Sequence, residues 1–194
     1  MNKKIILASA SPRRKELLSV ITEDFLVLPS DAEEIIPGDI SADETAEYLA
    51  KIKAQAVAAD HPQDVVIGAD TCVVVGNEIL GKPVDFNDAK RMLNLLSGKT
   101  HKVITGCAII NDGKTISFSS QTEVEFYPLS ETQIEEYINS LEPYDKAGSY
   151  AIQGKASLFV KGIKGDYFNV VGLPVAELNL KLKEMDIKFK IKKT

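Results

Sequence analysis

The feature that most constrains this chain is the alternation of short, wholly apolar runs with segments of helical periodicity. Ile5-Ile6-Leu7-Ala8 and Val65-Val66-Ile67-Gly68-Ala69 read as buried strands. Between them, Ala46, Leu49, Ala50 and Val57 share one face of a helix over residues 43–59. Ser41 and Glu44, at capping-box spacing, open that helix. Strands alternating with helices require a mixed α/β sheet. At 194 residues, the chain suits one large domain or a single two-lobed one.

The remaining punctuation fits this frame. Ser11 as N-cap with Pro12 at the first helical position predicts a helix over 13–20, and 25–29 reads as a second strand. The strand from Val65 is expected to stop at Asp70 and resume over 72–75, turning at Gly76-Asn77 and returning through Ile79-Leu80. Ala89, Met92, Leu93 and Leu96 mark a helix. Residues 103–110 and 116–126 flank a hairpin turn at Asn111-Asp112-Gly113-Lys114. Ile134, Ile138 and Leu141 give a further helical face, Leu158-Phe159-Val160 a strand, and 175–182 a last helix. Residues 187–192 alternate with period two, as an edge strand with lysines on its wet face would.

A net charge of −5 argues against a general nucleic-acid coat, which needs a basic surface, so no stable nucleic-acid complex is expected. Cys72 and Cys107 each lie inside an apolar run and read as buried thiols. With only His61 and His101 beside them, there is little from which to build a zinc site. Residues 1–9 are too short and too quickly polar for a signal peptide, and no apolar stretch approaches a membrane span. The expectation is a cytoplasmic protein with no membrane partner.

Against this background several charges stand where they need a reason. Arg13 and Arg14 fall in the first turn of a helix, where the macrodipole disfavours cations. Either a bound phosphate supplies the missing negative charge, or one arginine is solvated and the other meets a carboxylate. Lys53 falls on the apolar stripe of its helix while Lys51 does not, so its ammonium either snorkels to water or faces a pocket. Asp70, at the end of an apolar run, suits a metal ligand or a catalytic base, or else caps a turn. Glu33 and Glu34 alone read as a solvated acidic loop. Gly76 to Lys82 has the spacing of a phosphate-binding P-loop, but Pro83 stands where a magnesium-binding hydroxyl belongs, so the motif is rejected.

Leu7-Ala8-Ser9-Ala10-Ser11-Pro12-Arg13-Arg14, Gly68-Ala69-Asp70-Thr71, Gly81-Lys82-Pro83, Leu96-Ser97-Gly98, the stretch from Asp145 through Lys146-Ala147-Gly148-Ser149-Tyr150-Ala151-Ile152-Gln153 to Gly154, and Val171-Gly172-Leu173-Pro174 follow in order. Together they resemble the Maf family of nucleotide pyrophosphatases over nearly the whole chain. The resemblance implies one domain over 1–194: an elongated mixed α/β fold shared with inosine-triphosphate pyrophosphatases, its two lobes around a cleft. It also implies a divalent cation, Mg2+ or Mn2+, a nucleoside triphosphate substrate, and frequently a homodimer. Ser9, Arg13 and Arg14 would then form the phosphate-binding loop, and Lys53 and Lys82 would contact the triphosphate. Glu34, with Glu33 as rival, and Asp70 would bind metal, and Asp70 would be the proton acceptor.

Arg13, Thr71 and Gln153 match the branch acting on dTTP and UTP. The amide of Gln153 suits the imide edge of uracil or thymine, although it could instead bond only to backbone. The family's link to septum formation leaves a second expectation, a nucleotide-binding regulator of cell division without essential turnover.

Overall fold

The computed structural model describes residues 3–38 and 40–188. In chain order the elements are β1 (Ile5–Leu7), α1 (Pro12–Leu18), β2 (Phe25–Val27), α2 (Ala42–Asp60), β3 (Val65–Val75), β4 (Glu78–Leu80), α3 (Phe86–Leu96), β5 (Thr100–Asn111) and β6 (Lys114–Phe126). There follow α4 (Glu131–Ile138), three 3-10 turns (Glu142–Asp145, Ala147–Ser149, Lys155–Leu158), β7 (Val160–Lys164), α5 (Tyr167–Val171) and α6 (Val175–Glu184). The seven strands make one mixed sheet in the order β2-β1-β3-β5-β6-β7, with β4 hydrogen-bonded to β3. β1 runs parallel to both β2 and β3, whereas β4 and β7 are antiparallel to β3 and β6. A mixed α/β architecture was the expectation, and it holds.

Two compact units divide the chain: the described residues up to Asp70, Thr105–Ser120 and those from Gly172 onward form one, and Thr71–Ile104 with Gln121–Val171 the other. In the first, β1 and β3 bury every residue from Ile5 to Leu7 and from Val65 to Ala69, as central parallel strands do. Helix α2 lies on them through Ala50, Ala54 and Val57, which close a core with Ile6, Ala8, Val66 and Ala108. Two glycines set the closeness of that seat. A Cβ at Gly68 would stand 2.3 Å from the Ala50 carbonyl oxygen, and one at Gly106 2.3 Å from that of Ala46. Helix and strand backbones therefore touch without intervening side chains.

In the second unit, α3 starts at an Asp85 N-cap whose side chain accepts from the Asp88 amide, and it buries Ala89, Met92, Leu93 and Leu96. It packs against α4 around Val124, Phe126, Ile134, Tyr137, Tyr150 and Phe159. Phe126, Tyr150 and His101 meet edge to face, Phe126 and Tyr150 with ring centres 4.9 Å apart.

Several boundaries differ from expectation. β3 does not stop at Asp70 but runs unbroken to Val75, because a ladder is made by backbone groups that two polar side chains do not interrupt. α1 ends at Leu18 and β2 at Val27. Leu141 is not on the face of α4: the helix stops at Ile138, and Leu141 is exposed in a left-handed conformation. Leu158 and Phe159 precede their strand, since a 3-10 turn occupies Lys155–Leu158 and β7 begins at Val160. α5 carried no readable periodicity in its five residues. Most of the expected C-terminal edge strand lies outside the described residues, and Ile187 and Lys188 are not in a strand. The hairpin turn forms as expected, with Asp112 and Gly113 both at positive φ, 50° and 73°.

Candidate functional site

The first unit gathers charge around the start of α1 and the middle of β3. Ser11 caps α1 with extended backbone, its hydroxyl accepting from the Arg14 amide, and Pro12 follows at the first helical position. One turn into the helix, the two arginines part. Arg14 points inward: its Nε donates to the Gly172 carbonyl at 2.9 Å and its Nη1 to Ser9 Oγ at 3.1 Å, and Ser9 is itself buried. Burial pulls the Arg14 pKa down from its ordinary value, opposed chiefly by Asp70; Arg13 pulls it further down and Glu34 up. Arg13, half-buried, makes no hydrogen bond or ion pair among the described residues. Two like charges thus stand in the first turn of α1, where the macrodipole disfavours cations.

Lys53 and Asp70 meet because two periodicities coincide. Gly68 faces α2, so Asp70, two residues further along β3, faces the same way. Lys53 lies between Ala50 and Ala54, the residues that pack on Gly68. Its ammonium sits 2.5 Å from Asp70 Oδ1 and 2.9 Å from Glu34 Oε1. The Lys53 and Asp70 side chains are only 15% and 14% exposed, against 50% for Glu34, so the carboxylate most shielded from water is the one inside the sheet. Lys51, off the stripe, pairs instead with Glu47 on the outer face at 3.0 Å. The Lys53 ammonium is thus held by two carboxylates and largely shielded from water. Of Glu33 and Glu34, it is Glu34 that reaches it.

Arg13, Arg14, Lys53, Glu34 and Asp70 thus constitute one charged centre, its members linked by contact or by field. Beneath it Cys107 is buried and unpaired, and burial pushes its thiol pKa up to about 12 despite the pull of Arg14. Among the described residues no three His, Cys, Asp or Glu side chains cluster as a ready metal site. Two carboxylates share an ammonium instead.

Thr71 follows Asp70 along β3, half-buried. Lys82 and Gln153 belong to the second unit and are exposed there. Lys82 follows β4, and the backbone beside it is tied by the Gly148 amide donating to the Gly81 carbonyl at 3.0 Å. Gln153 makes no side-chain hydrogen bond among the described residues, so the backbone-bonded alternative is not the one adopted. Sequence reasoning did not find the Gly172 carbonyl as the anchor of Arg14. The signal available was Gly172 itself, in a Val-Gly-Leu-Pro motif at φ 124°, a conformation suited to glycine.

Comparison with known proteins places these features in context. The family of Maf-like proteins matches residues 4–185. A dTTP/UTP pyrophosphatase of Bacillus cereus strain G9842 is 53% identical over 185 residues, covering 95% of this chain and 97% of the relative. That of Bacillus mycoides strain KBAB4 is 53% identical over 184 residues, covering 95% and 96%. A third, from Bacillus cytotoxicus strain DSM 22905, is 52% identical over 184 residues with the same coverage.

Proposed function

This chain belongs to the Maf-like protein family, and on that premise we propose that it hydrolyses dTTP and UTP to the monophosphate and pyrophosphate. The observation that carries the proposal is the Lys53 ammonium held between Asp70 and Glu34, beside two arginines in the first turn of α1. Charges so concentrated and so little hydrated suit a triphosphate and a reacting water.

Each residue then has work that follows from its position. Ser9, Arg13 and Arg14, at the start of α1, hold phosphate oxygens. Arg14, fixed by Ser9 and the Gly172 carbonyl, keeps its direction without waiting for substrate, while Arg13 gains its counter-charge only when phosphate arrives. Lys53, already donating to Asp70, holds that carboxylate in place. Water attacks the α-phosphorus, Asp70 takes the water's proton, the α–β bridging bond breaks, and pyrophosphate leaves with the electron pair. The family resemblance supports a triphosphate contact for Lys82 and a part in base selection for Thr71, Arg13 and Gln153.

Two carboxylates converging on one cation-sized position fit Mg2+ or Mn2+, which bind through one or two carboxylates and complete their shell with water and substrate phosphate. Glu34 and Asp70 are the residues to hold it, and the ion would neutralise phosphate charge and make a bound water more acidic. The ammonium of Lys53 stands in for that charge between the two carboxylates. The family resemblance supports a single functional domain over 1–194, a homodimer and a cytoplasmic location. No described helix is long and apolar enough to cross a membrane.

The test is a panel of dTTP, UTP, dCTP, ATP and GTP with Mg2+ and identification of the products. Monophosphate and pyrophosphate from dTTP and UTP, with slower turnover of the others, support the reading. Orthophosphate as the first product, or equal rates on every base, overturns it.

A further inference from the structure

Gln153 sits in a short exposed segment between two anchors, and the second unit shows what fixes it. On one side Ser149 and Tyr150 are buried, Ser149 Oγ lying 3.0 Å from Met92 Sδ and the Tyr150 hydroxyl 2.8 Å from His101 Nε2. On the other side Ala156 and Phe159 are buried in the aromatic core. The residues between are bridged by one carboxylate. Glu142 Oε2 accepts the Lys155 amide at 3.2 Å, and Oε1 accepts the Tyr137 hydroxyl at 3.0 Å. Glu142 therefore holds the chain just after Gln153 and Gly154, and the Tyr137 hydroxyl holds Glu142.

Gly154 completes the clamp. Its φ of 101° and ψ of −155° belong to glycine alone, and a Cβ there would stand 2.8 Å from Glu142 Oε1. The carboxylate thus packs directly on the bare Cα next to Gln153. Loops of this exposure ordinarily sample many conformations, and a recognition amide is useful only in the few that present it.

We propose that Glu142 is a positioning residue for base selection, holding the Gln153 segment in one conformation through the Lys155 amide and its packing against Gly154. The inference rests on the reading of Gln153 as the group that meets the base. Glu142 touches neither phosphate nor reacting atoms, so its removal acts on recognition: the fraction of molecules with Gln153 in place falls, and apparent affinity falls with it.

The experiment compares kcat and KM for dTTP and dGTP in the wild type, Gln153→Ala, Glu142→Ala, Glu142→Gln and the Glu142→Ala/Gln153→Ala double variant. Glu142→Ala should raise the dTTP KM by about tenfold at nearly constant kcat and shrink the preference for dTTP by a similar factor. Glu142→Gln, which keeps an oxygen able to accept the Lys155 amide, should recover most of it. In the Gln153→Ala background, Glu142→Ala should change nothing further, which a general loss of stability would not reproduce. If Gln153→Ala abolishes the preference while Glu142→Ala leaves it at the wild-type value, the inference is wrong and the reading of Gln153 stands. If Gln153→Ala itself leaves the preference untouched, both fall. Should Glu142→Ala not fold, Tyr137→Phe removes only the hydroxyl that donates to Glu142 Oε1. A smaller change in the same direction then supports the clamp, and an unchanged preference overturns it.

Discussion

Replacing Gly68 by alanine tests why Lys53 and Asp70 meet at all. The new Cβ would lie 2.3 Å from the Ala50 carbonyl oxygen, 2.8 Å from the Ala54 nitrogen and 2.9 Å from the Ala54 Cβ, where ordinary contact begins at 3.4 Å. Two of these obstacles are backbone atoms that no rotamer change can move, so α2 and β3 must part locally by about 1 Å. Overpacking of this kind costs about 1–3 kcal/mol. For a chain of this length that is a fall in Tm of about 2–12 °C. The same displacement stretches the 2.5 Å contact between Lys53 and Asp70, and misplacement by about 1 Å costs on the order of 10²-fold in rate. Thermal unfolding and kcat/KM on dTTP, measured together, read both effects. Gly162→Ala is the control, since nothing lies within 4 Å of a Cβ there. If Gly68→Ala keeps the wild-type Tm and a rate within about twofold, while such a strain should cost over 1 kcal/mol, the close seating of α2 on β3 is not what sets the site.

Other expectations follow from the same geometry. Lys53→Met keeps the apolar stem but removes the ammonium from between Asp70 and Glu34, and steady-state kinetics should show a loss on the order of 10²–10³ in kcat. Cys107, buried and with its thiol pushed up to about 12, should resist a thiol reagent at pH 8 in the native protein and react at once in denaturant; fast native labelling would contradict its burial. His101 is 2% exposed, and burial lowers its pKa from 6.5 to about 4, so the unfolded chain binds more protons between those values. Its contribution is fully present above pH 6.5 and is lost as pH falls toward 4, a slope amounting to about 3 kcal/mol that urea unfolding should detect and His101→Gln should flatten.

What could be read from the sequence was what is local. The Ser11 and Ser41 caps, the Asp112-Gly113 turn and the core face of α2 depend on residues within one or two turns of each other. The 3.6-residue period put Lys53 on an apolar stripe and so raised the question of its partner. That partner was not legible, because it depends on how closely α2 approaches β3, which Gly68 and Gly106 set from distant parts of the chain. Arg14 shows the same limit, for its carbonyl partner is 158 residues away. Asp70 was placed at a strand end because apolarity stops there; the backbone ladder does not, and the side chain emerges from mid-strand. Glu142 left no trace as a candidate, since a lone acid before a proline resembles any turn until Gly154 is seen against it.

In the proposed mechanism Asp70 is the group that takes the proton of the attacking water. Asp70→Asn keeps the shape of the side chain and removes its basicity. With dTTP and Mg2+, formation of thymidine monophosphate should fall by on the order of 10³, within the range for loss of a general base, while the dissociation constant of a non-hydrolysable dTTP analogue changes by only about threefold. Turnover of dTTP by Asp70→Asn at the wild-type rate would contradict it.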